Sequence, residues 1–116
     1  MEKFSTITRE ELNKKIDEGG DFVLIDVLGE MSHAQKHLPG AINIPGGSEN
    51  FVTEVEKALG GDKGKEVIVY CGSFSCQASP AAAGKLADAG FTNVVDFEGG
   101  LADWEEAGYP FEGKQA

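Results

Sequence analysis

The sequence VIVYCGSFSCQASPAAAGKL at residues 67–86 gives the strongest indication of the fold and contains both cysteines of the chain. Its β-branched run predicts a strand over residues 67–70. Ser79 followed by Pro80 predicts an N-cap and the first residue of a helix. Cys71 therefore lies at the carboxyl end of a strand, and the second cysteine lies in the loop that leads to the helix.

The segments on either side continue an alternation of strands and helices. This alternation predicts an α/β fold with a mostly parallel sheet, in which ligands bind at the carboxyl ends of strands. The length of 116 residues fits one domain, so we expect a single domain over residues 1–116. Strands are predicted at residues 22–27, 41–44, 67–70 and 93–97, and helices at residues 6–20, 30–36, 51–59, 80–89 and 101–107.

The charge of the chain argues against several classes of partner. The net charge is −10, and Arg9 is the only arginine. We therefore expect no nucleic-acid or membrane partner, because phosphate binding needs clustered lysine and arginine. No apolar run approaches the roughly 20 residues of a membrane span, and the first residues form no apolar signal segment, so we expect a cytoplasmic protein. Two cysteines are too few for a disulfide scaffold.

A cysteine at the end of a strand is well placed for nucleophilic chemistry, because the thiolate is its reactive form. A thiol of ordinary pKa is only about 3% ionised at pH 7. The positive end of the following helix and the amides of a loop with small residues, Gly72, Ser73 and Ser75, would favour the anion. The plain alternative is that Cys71 is a buried, inert thiol, since free cysteine packs as a small apolar side chain.

Four motifs carry a resemblance to a known family. They are FVLIDV at residues 22–27, HLPGAINIP at 37–45, VIVYC at 67–71, and a segment at 81–110 that contains a GG-x-x-x-W pattern. In this order they resemble the rhodanese-like sulfurtransferases over nearly the whole chain. The resemblance implies a five-stranded parallel sheet with helices on both faces. The glycine pair of the last motif is expected to permit close backbone approach beneath the cysteine loop.

The resemblance also implies a catalytic cycle in which Cys71 attacks the outer sulfur of a donor such as thiosulfate. The resulting persulfide passes its sulfur to cyanide or to a thiol, and we expect no cofactor or metal. The main chain of residues 72–78, called the active loop below, would bind the substrate, with Asp26 and Ser79 in support. The substrate-binding residues expected in this way are Gly72, Ser73, Phe74, Ser75, Cys76, Gln77 and Ala78.

Departures from the family's usual C-x-x-G-x-R-S pattern leave the site with few cations. Ser79 is eight positions after Cys71 instead of six, and the usual arginine falls at Ala78. Leu28 stands where many members have another arginine, and residues 66–84 contain no basic residue. Thiosulfate, a doubly charged anion, is therefore a weak candidate as donor. Phosphatase activity is disfavoured more strongly, because phosphoryl transfer relies on a cation clamp.

Cys76 leaves alternative functions open. As a resolving thiol it would attack a Cys71 persulfide and close a disulfide, which would make the chain a thiol–disulfide redox protein. As an inward-facing loop anchor it would have no such role. The missing arginine and the charge of −10 favour a third possibility, a catalytically silent module that binds a protein partner. A zinc site formed by both cysteines with His33 and His37 is disfavoured by the spacing.

Two further residues have competing interpretations. Asp26 ends a predicted strand and would either orient loop amides or cap a turn. Phe74 would cover the sulfur as an apolar lid, contact a protein partner, or pack into the core. Phe97 and Trp104 are expected in the core.

Overall fold

The computed structural model describes residues 4–115, so the domain limits expected at residues 1 and 116 lie outside the described part of the chain. The strands are β1 (Ser5–Thr6), β2 (Phe22–Asp26), β3 (Ile42–Asn43), β4 (Glu66–Tyr70) and β5 (Val94–Phe97). The helices are α1 (Arg9–Glu18), α2 (Glu30–Gln35), α3 (Phe51–Ala58), α4 (Ala78–Asp88) and α5 (Gly100–Glu106). The strands form one sheet in the order β1-β5-β4-β2-β3, and every neighbouring pair is parallel. The expected α/β fold is confirmed, with a sheet that is parallel throughout.

The central strand β4 is buried on both faces of the sheet. Val67 and Val69 face the apolar layer that contains α3 and α4, whereas Ile68 and Tyr70 face the layer that contains α1 and α5. This alternation follows from the two-residue period of a strand. Cys71 continues the alternation and belongs to the α3–α4 layer. The carboxyl end of β4 therefore places Cys71 beneath the start of α4.

The amino-terminal helix begins later than its sequence pattern predicts, because a short edge strand precedes it. β1 pairs with β5, and α1 starts at Arg9 after an N-cap at Thr8. Thr8 accepts a hydrogen bond from the N–H of Glu11, whose side chain accepts one from the N–H of Thr8, and the two bonds form a capping box. The two residues of β1 are exposed and show no apolar alternation, so the sequence pattern does not reveal this strand.

The helix after the active loop begins two residues earlier than predicted. α4 starts at Ala78 with Gln77 as its N-cap, so the predicted N-cap at Ser79 is wrong. Ser79 is fully buried, and its hydroxyl accepts a hydrogen bond from the Cys71 thiol instead of capping the helix. Pro80 still lies in the first helical turn, where its missing N–H removes no helical hydrogen bond.

The start of α5 binds the beginning of the active loop. The N–H of Leu101 donates to the carbonyl of Cys71 at 3.1 Å, and the N–H of Ala102 donates to the carbonyl of Gly72 at 2.9 Å. Gly100 has a φ of 60°, and a Cβ at this position would overlap the Cys71 carbonyl. The expected close approach of backbone at the glycine pair is confirmed. Trp104 anchors α5 in the core, as expected, and Phe97 of β5 is buried with it.

Replacing Gly100 by alanine should lower the free energy of unfolding by about 3 kcal/mol, since it adds a backbone clash to an unfavourable φ. Gly108 is a matched control, because its φ of 77° is also positive but an added Cβ would meet no heavy atom within 4 Å. Gly108→Ala should lower the free energy of unfolding by only about 1 kcal/mol. Urea unfolding of both variants measures the difference, and equal losses would contradict the close approach at Gly100.

Candidate active site

The active loop lies at the carboxyl edge of the sheet and folds back on itself. The N–H of Cys76 donates to the carbonyl of Ser73 at 3.0 Å, and the hydroxyls of Ser73 and Ser75 are also 3.0 Å apart. Phe74, Ser75 and Gln77 are exposed. The loop is therefore held mainly by its own turn and by the two ends that join it to β4 and α4.

The sulfur of Cys71 is covered by the loop, and the residue is 1% exposed. Its Sγ accepts a hydrogen bond from the N–H of Ser79 at 3.4 Å, and its S–H donates to the Ser79 Oγ at 3.4 Å. Burial raises the pKa of Cys71, and the neighbouring Cys76 thiol adds to this rise, while the two Ser79 groups oppose it. The expected lowering of the Cys71 pKa by surrounding loop amides is therefore wrong.

The loop amides instead surround Cys76, which is partly exposed. Burial alone would raise the pKa of Cys76, but its interactions with the Cys71 thiol and with the N–H groups of Gly72 and Ala78 outweigh burial and lower the pKa. The loop amides that were expected to favour an anion at Cys71 thus act on the second sulfur instead. Both thiols are free, and they interact directly.

Asp96 is a site residue that the sequence interpretation missed. It lies in β5 and is 1% exposed, and its negative charge acts to raise the pKa of Cys76. Neither carboxylate oxygen has a hydrogen-bond partner among residues 4–115. Burial raises the pKa of Asp96, and the charge of Glu98 adds to the rise, while the Ser79 hydroxyl opposes it. An acidic residue inside an otherwise apolar strand was the available signal.

Asp26 lies on the opposite face of the sheet from Cys71 and supports a different part of the fold. Its Oδ1 accepts a hydrogen bond from the N–H of Leu28 at 2.9 Å, and its Oδ2 is 3.0 Å from His33 Nδ1. Burial raises the pKa of Tyr70, and the charge of Asp26 raises it further. The turn-capping interpretation of Asp26 is confirmed, and a role in orienting the loop amides is wrong.

The histidines are held away from the two thiols. His33 pairs with Asp26 and stacks on His37, with ring centroids 3.8 Å apart. His37 Nδ1 donates to the carbonyl of His33 at 2.7 Å. Within residues 4–115, no group of three or more His, Cys, Asp or Glu side chains is arranged to hold a metal ion. Nor is any helix in that range long and apolar enough to cross a membrane.

Phe74 projects from the active loop and is 70% exposed, so its placement in the core is wrong. It lines a cleft of about 420 Å³ together with Arg9, Glu98 and Asp103. The guanidinium of Arg9 lies 3.0 Å from the carboxylate of Asp103, so the positive charge of Arg9 is compensated by Asp103. The surface beside the loop is therefore apolar and acidic. The expectation that Phe74 covers the sulfur or contacts a partner stays a prediction.

Comparisons with known proteins point to one family. A family model described as a rhodanese-like domain matches residues 8–107. The HTH-type transcriptional regulator Rv0324 of Mycobacterium tuberculosis is 33% identical over 107 residues, covering 91% of this chain and 44% of that protein. The probable adenylyltransferase/sulfurtransferase MoeZ of the same species is 31% identical over 108 residues, covering 93% of this chain and 26% of that protein. The chain thus spans less than half the length of these curated relatives.

A solved structure shares the architecture over almost the whole chain. The crystal structure of thiosulfate sulfurtransferase from Pseudomonas aeruginosa superposes with a TM-score of 0.79 at 25% sequence identity. The match covers 97% of this chain and 21% of that one. The similarity therefore corresponds to one part of a longer enzyme.

At pH 7, iodoacetamide should modify Cys76 at least about tenfold faster than Cys71, because the thiolate is the reacting form. Cys76 is partly exposed with a lowered pKa, whereas Cys71 is buried with a raised pKa. Modification of Cys71 should therefore accelerate only at higher pH than that of Cys76. Peptide mass mapping over time at several pH values measures both rates, with the two single Cys→Ser variants as controls. Equal rates at pH 7 would contradict the difference between the two thiols.

Proposed function

The chain belongs to the rhodanese-like domain family, and from this premise we propose that it is a sulfurtransferase that carries sulfane sulfur as a persulfide on Cys71. A relative named as a sulfurtransferase and a thiosulfate sulfurtransferase of the same fold support sulfur transfer as the type of reaction. The observation that carries the proposal is the position of Cys71 at the end of β4, with its sulfur against the first turn of α4.

The first turn of α4 favours negative charge on the Cys71 sulfur. The N–H of Ser79 donates to Sγ, and the aligned peptide dipoles of an 11-residue helix add positive potential at this end. A persulfide is an anion near neutral pH, so the same groups would hold the intermediate. Access of a donor to Cys71 requires the active loop to move. Phe74, Ser75 and Gln77 are exposed, so a movement of the loop breaks few packing contacts and has a low free-energy cost.

The charges around the loop favour an organic persulfide as donor over thiosulfate. Residues 66–84 provide no cation, and Asp96 and Glu98 lie on the adjacent strand and its end. A dianion would approach this surface against repulsion, whereas a monoanionic or neutral persulfide would meet less of it. A thiol is the matching acceptor, and cyanide serves as an acceptor in an assay.

The exposure of Cys76 and its lowered pKa favour one competing assignment, in which Cys76 makes the first attack. Cys71 would then attack the inner sulfur of a Cys76 persulfide, forming a Cys71–Cys76 disulfide and releasing sulfide. The two assignments differ in which single variant can hold sulfur.

Incubation with a low-molecular-weight organic persulfide, followed by removal of the donor, should add the mass of one sulfur atom to the wild-type protein. Cys71→Ser should lose this gain, because the carrier is removed, and Cys76→Ser should retain it. Intact-mass spectrometry under non-reducing conditions provides the measurement. The reverse pattern would move the persulfide to Cys76, and a wild-type protein that loses the mass of two hydrogens would indicate the Cys71–Cys76 disulfide. The absence of any mass change in the wild type and in both variants would refute sulfur transfer altogether.

Ala78→Arg should raise kcat/KM for thiosulfate roughly tenfold, because it restores a cation at the position where the family pattern has arginine. Ala78→Gln is the matched control for side-chain size without charge. With an organic persulfide donor, the kcat/KM of both variants should stay within about threefold of the wild-type value, since this donor has little charge to be compensated. Equal effects of arginine and glutamine on thiosulfate would contradict a shortage of positive charge.

A further inference from the structure

The cleft of about 420 Å³ beside the active loop has no part in the reaction proposed so far. Its walls come from the end of β1, the start of α1, the residue after β5, helix α5 and the tip of the active loop. The cleft therefore lies at the carboxyl edge of the parallel sheet, where ligands bind in folds of this class. Its volume is in the range of clefts that hold a bound ligand.

The register of the sheet places this cleft beside Cys71. Phe97, the last residue of β5, pairs with Tyr70, the last residue of β4. Glu98 and Cys71 are therefore the next residues of two adjacent strands, and adjacent strands run about 4.8 Å apart in a sheet. Glu98 lines the cleft, and so does Phe74 from the segment between the two cysteines. A group bound in the cleft is thus close to the residue that carries the sulfur.

The cleft carries an excess of negative charge. The guanidinium of Arg9 lies 3.0 Å from carboxylate oxygens of both Glu10 and Asp103, so its positive charge is compensated. Glu11 and Glu98 line the same cleft, and neither forms an ion pair with another residue of the described range 4–115. The neighbouring segment 66–84 contributes no basic residue. A positively charged ligand would therefore find carboxylates here that are not already neutralised.

Phe74 adds an apolar surface to these charges. Its side chain is 70% exposed at the tip of the active loop. Aromatic side chains of this kind are frequent anchors of protein interfaces, because their burial removes a large apolar area from water. A small thiol is too small to cover Phe74 and to neutralise two carboxylates at the same time. A segment of a protein that combines basic and apolar side chains is complementary to both features.

We propose that this cleft docks a lysine- or arginine-rich segment of a protein whose cysteine accepts the sulfur from Cys71. The inference rests on the proposed function and names the class of its acceptor. Basic side chains of the segment would pair with Glu11 and Glu98, and an apolar side chain would cover Phe74. The net charge of −10 repels acidic partners and draws basic ones towards the protein, which supports the choice of a basic segment.

The transfer step balances without an external oxidant or reductant. The acceptor thiol releases its proton to solvent, and its thiolate attacks the outer sulfur of the Cys71 persulfide. A bond forms between these two sulfurs, and the S–S bond of the Cys71 persulfide breaks with its electron pair on Cys71 Sγ. The products are a persulfide on the acceptor and a thiolate on Cys71. The N–H of Ser79 stabilises this thiolate until it takes up a proton from solvent.

The test compares synthetic peptides that differ only in charge. Each peptide has one cysteine beside a leucine, with lysines on both sides in the first peptide and glutamates at the same positions in the second. The protein is loaded with sulfur from a neutral organic persulfide, freed from the donor and mixed with either peptide. Mass spectrometry follows the sulfur on the peptide. At about 10 mM ionic strength the basic peptide should react at least about tenfold faster, and at about 1 M the preference should fall below about threefold.

A reference reaction removes the intrinsic difference between the peptides. Lysines lower the pKa of a nearby thiol and so make the basic peptide more reactive towards any persulfide. Each rate is therefore divided by the rate at which the neutral organic persulfide itself transfers sulfur to the same peptide. The tenfold preference refers to these normalised rates. Equal normalised rates for the two peptides would overturn the inference.

Paired charge variants distinguish the cleft from the overall charge of the protein. Glu11→Gln/Glu98→Gln should reduce the preference for the basic peptide at least about threefold, and glutamine at position 11 preserves the capping box. Glu54→Gln/Glu56→Gln is the matched control, because it changes the net charge equally but lies on α3, which packs on the opposite face of the sheet from α1. This control should stay within about twofold of wild type. Equal reductions in the two variants would assign the preference to net charge and overturn the docking site.

Substitution of Phe74 tests the apolar part of the site. The rate of transfer to the basic peptide is divided by the rate of transfer to 2-mercaptoethanol, which is too small to reach the whole cleft. This ratio should fall about fivefold in Phe74→Ser, whereas Phe74→Leu should retain most of it because leucine keeps an apolar surface. An unchanged ratio in Phe74→Ser would contradict a contact between Phe74 and the acceptor.

Binding is measured separately from sulfur transfer. A basic peptide with serine in place of its cysteine should shift the NMR amide signals of residues 6–11 and 98 in the unloaded wild-type protein, and Glu11→Gln/Glu98→Gln should weaken this binding. A wild type that binds this peptide in the cleft but never takes up sulfur would refute the proposed function and leave the docking surface intact. Sulfur uptake without binding in the cleft and without charge preference would refute this inference alone.

Discussion

The position of Cys71 depends on the backbone contact between the start of α5 and the end of β4. Two consecutive N–H groups of α5 bind the carbonyls of Cys71 and Gly72, and only a glycine at position 100 leaves room for this approach. The contact fixes where the strand stops and where the loop begins. Because β4 is the buried central strand, its carboxyl end is packed on both faces of the sheet, whereas three residues of the loop that follows are exposed.

The two cysteines show how burial and hydrogen bonding divide a site between a protected and an accessible thiol. Cys71 accepts a hydrogen bond from the Ser79 N–H and donates one to the Ser79 hydroxyl, and these bonds do not outweigh its burial. For Cys76, the Cys71 thiol and the main-chain amides of Gly72 and Ala78 do outweigh burial. No residue from 66 to 84 carries a positive charge, so neither sulfur has help from a nearby cation in sequence.

The sequence was sufficient for the sheet and its helices, because buried parallel strands and amphipathic helices leave strong periodic patterns. It was also sufficient for the position of Cys71 and for the close approach at Gly100. It did not reveal β1, which has two exposed residues and no pattern. Ser79 looked like a helix cap because caps and buried hydroxyls use the same residue types, and only packing distinguishes them.

The electrostatics of the loop were harder to predict for a related reason. Small residues indicate that amides turn inward, but which sulfur they face depends on the path of a loop two residues longer than the family pattern. Asp96 was overlooked because a strand prediction rests on its apolar neighbours, and the environment of one acidic side chain becomes visible only when α4 is in place. Tertiary contacts, rather than local propensity, decide both points.

The bonds from α5 also determine which part of the loop is able to swing. The carbonyls of Cys71 and Gly72 are bound by α5, and the Gln77 carbonyl is bound by the N–H of Ala81 in α4, so the segment between these attachments is residues 73–76. This flap carries Cys76 but leaves Cys71 anchored to the sheet. Opening this segment therefore uncovers the Cys71 sulfur and carries the Cys76 sulfur away from it in a single movement. In the conformation that admits a substrate, the two cysteines are thus kept from reacting with each other.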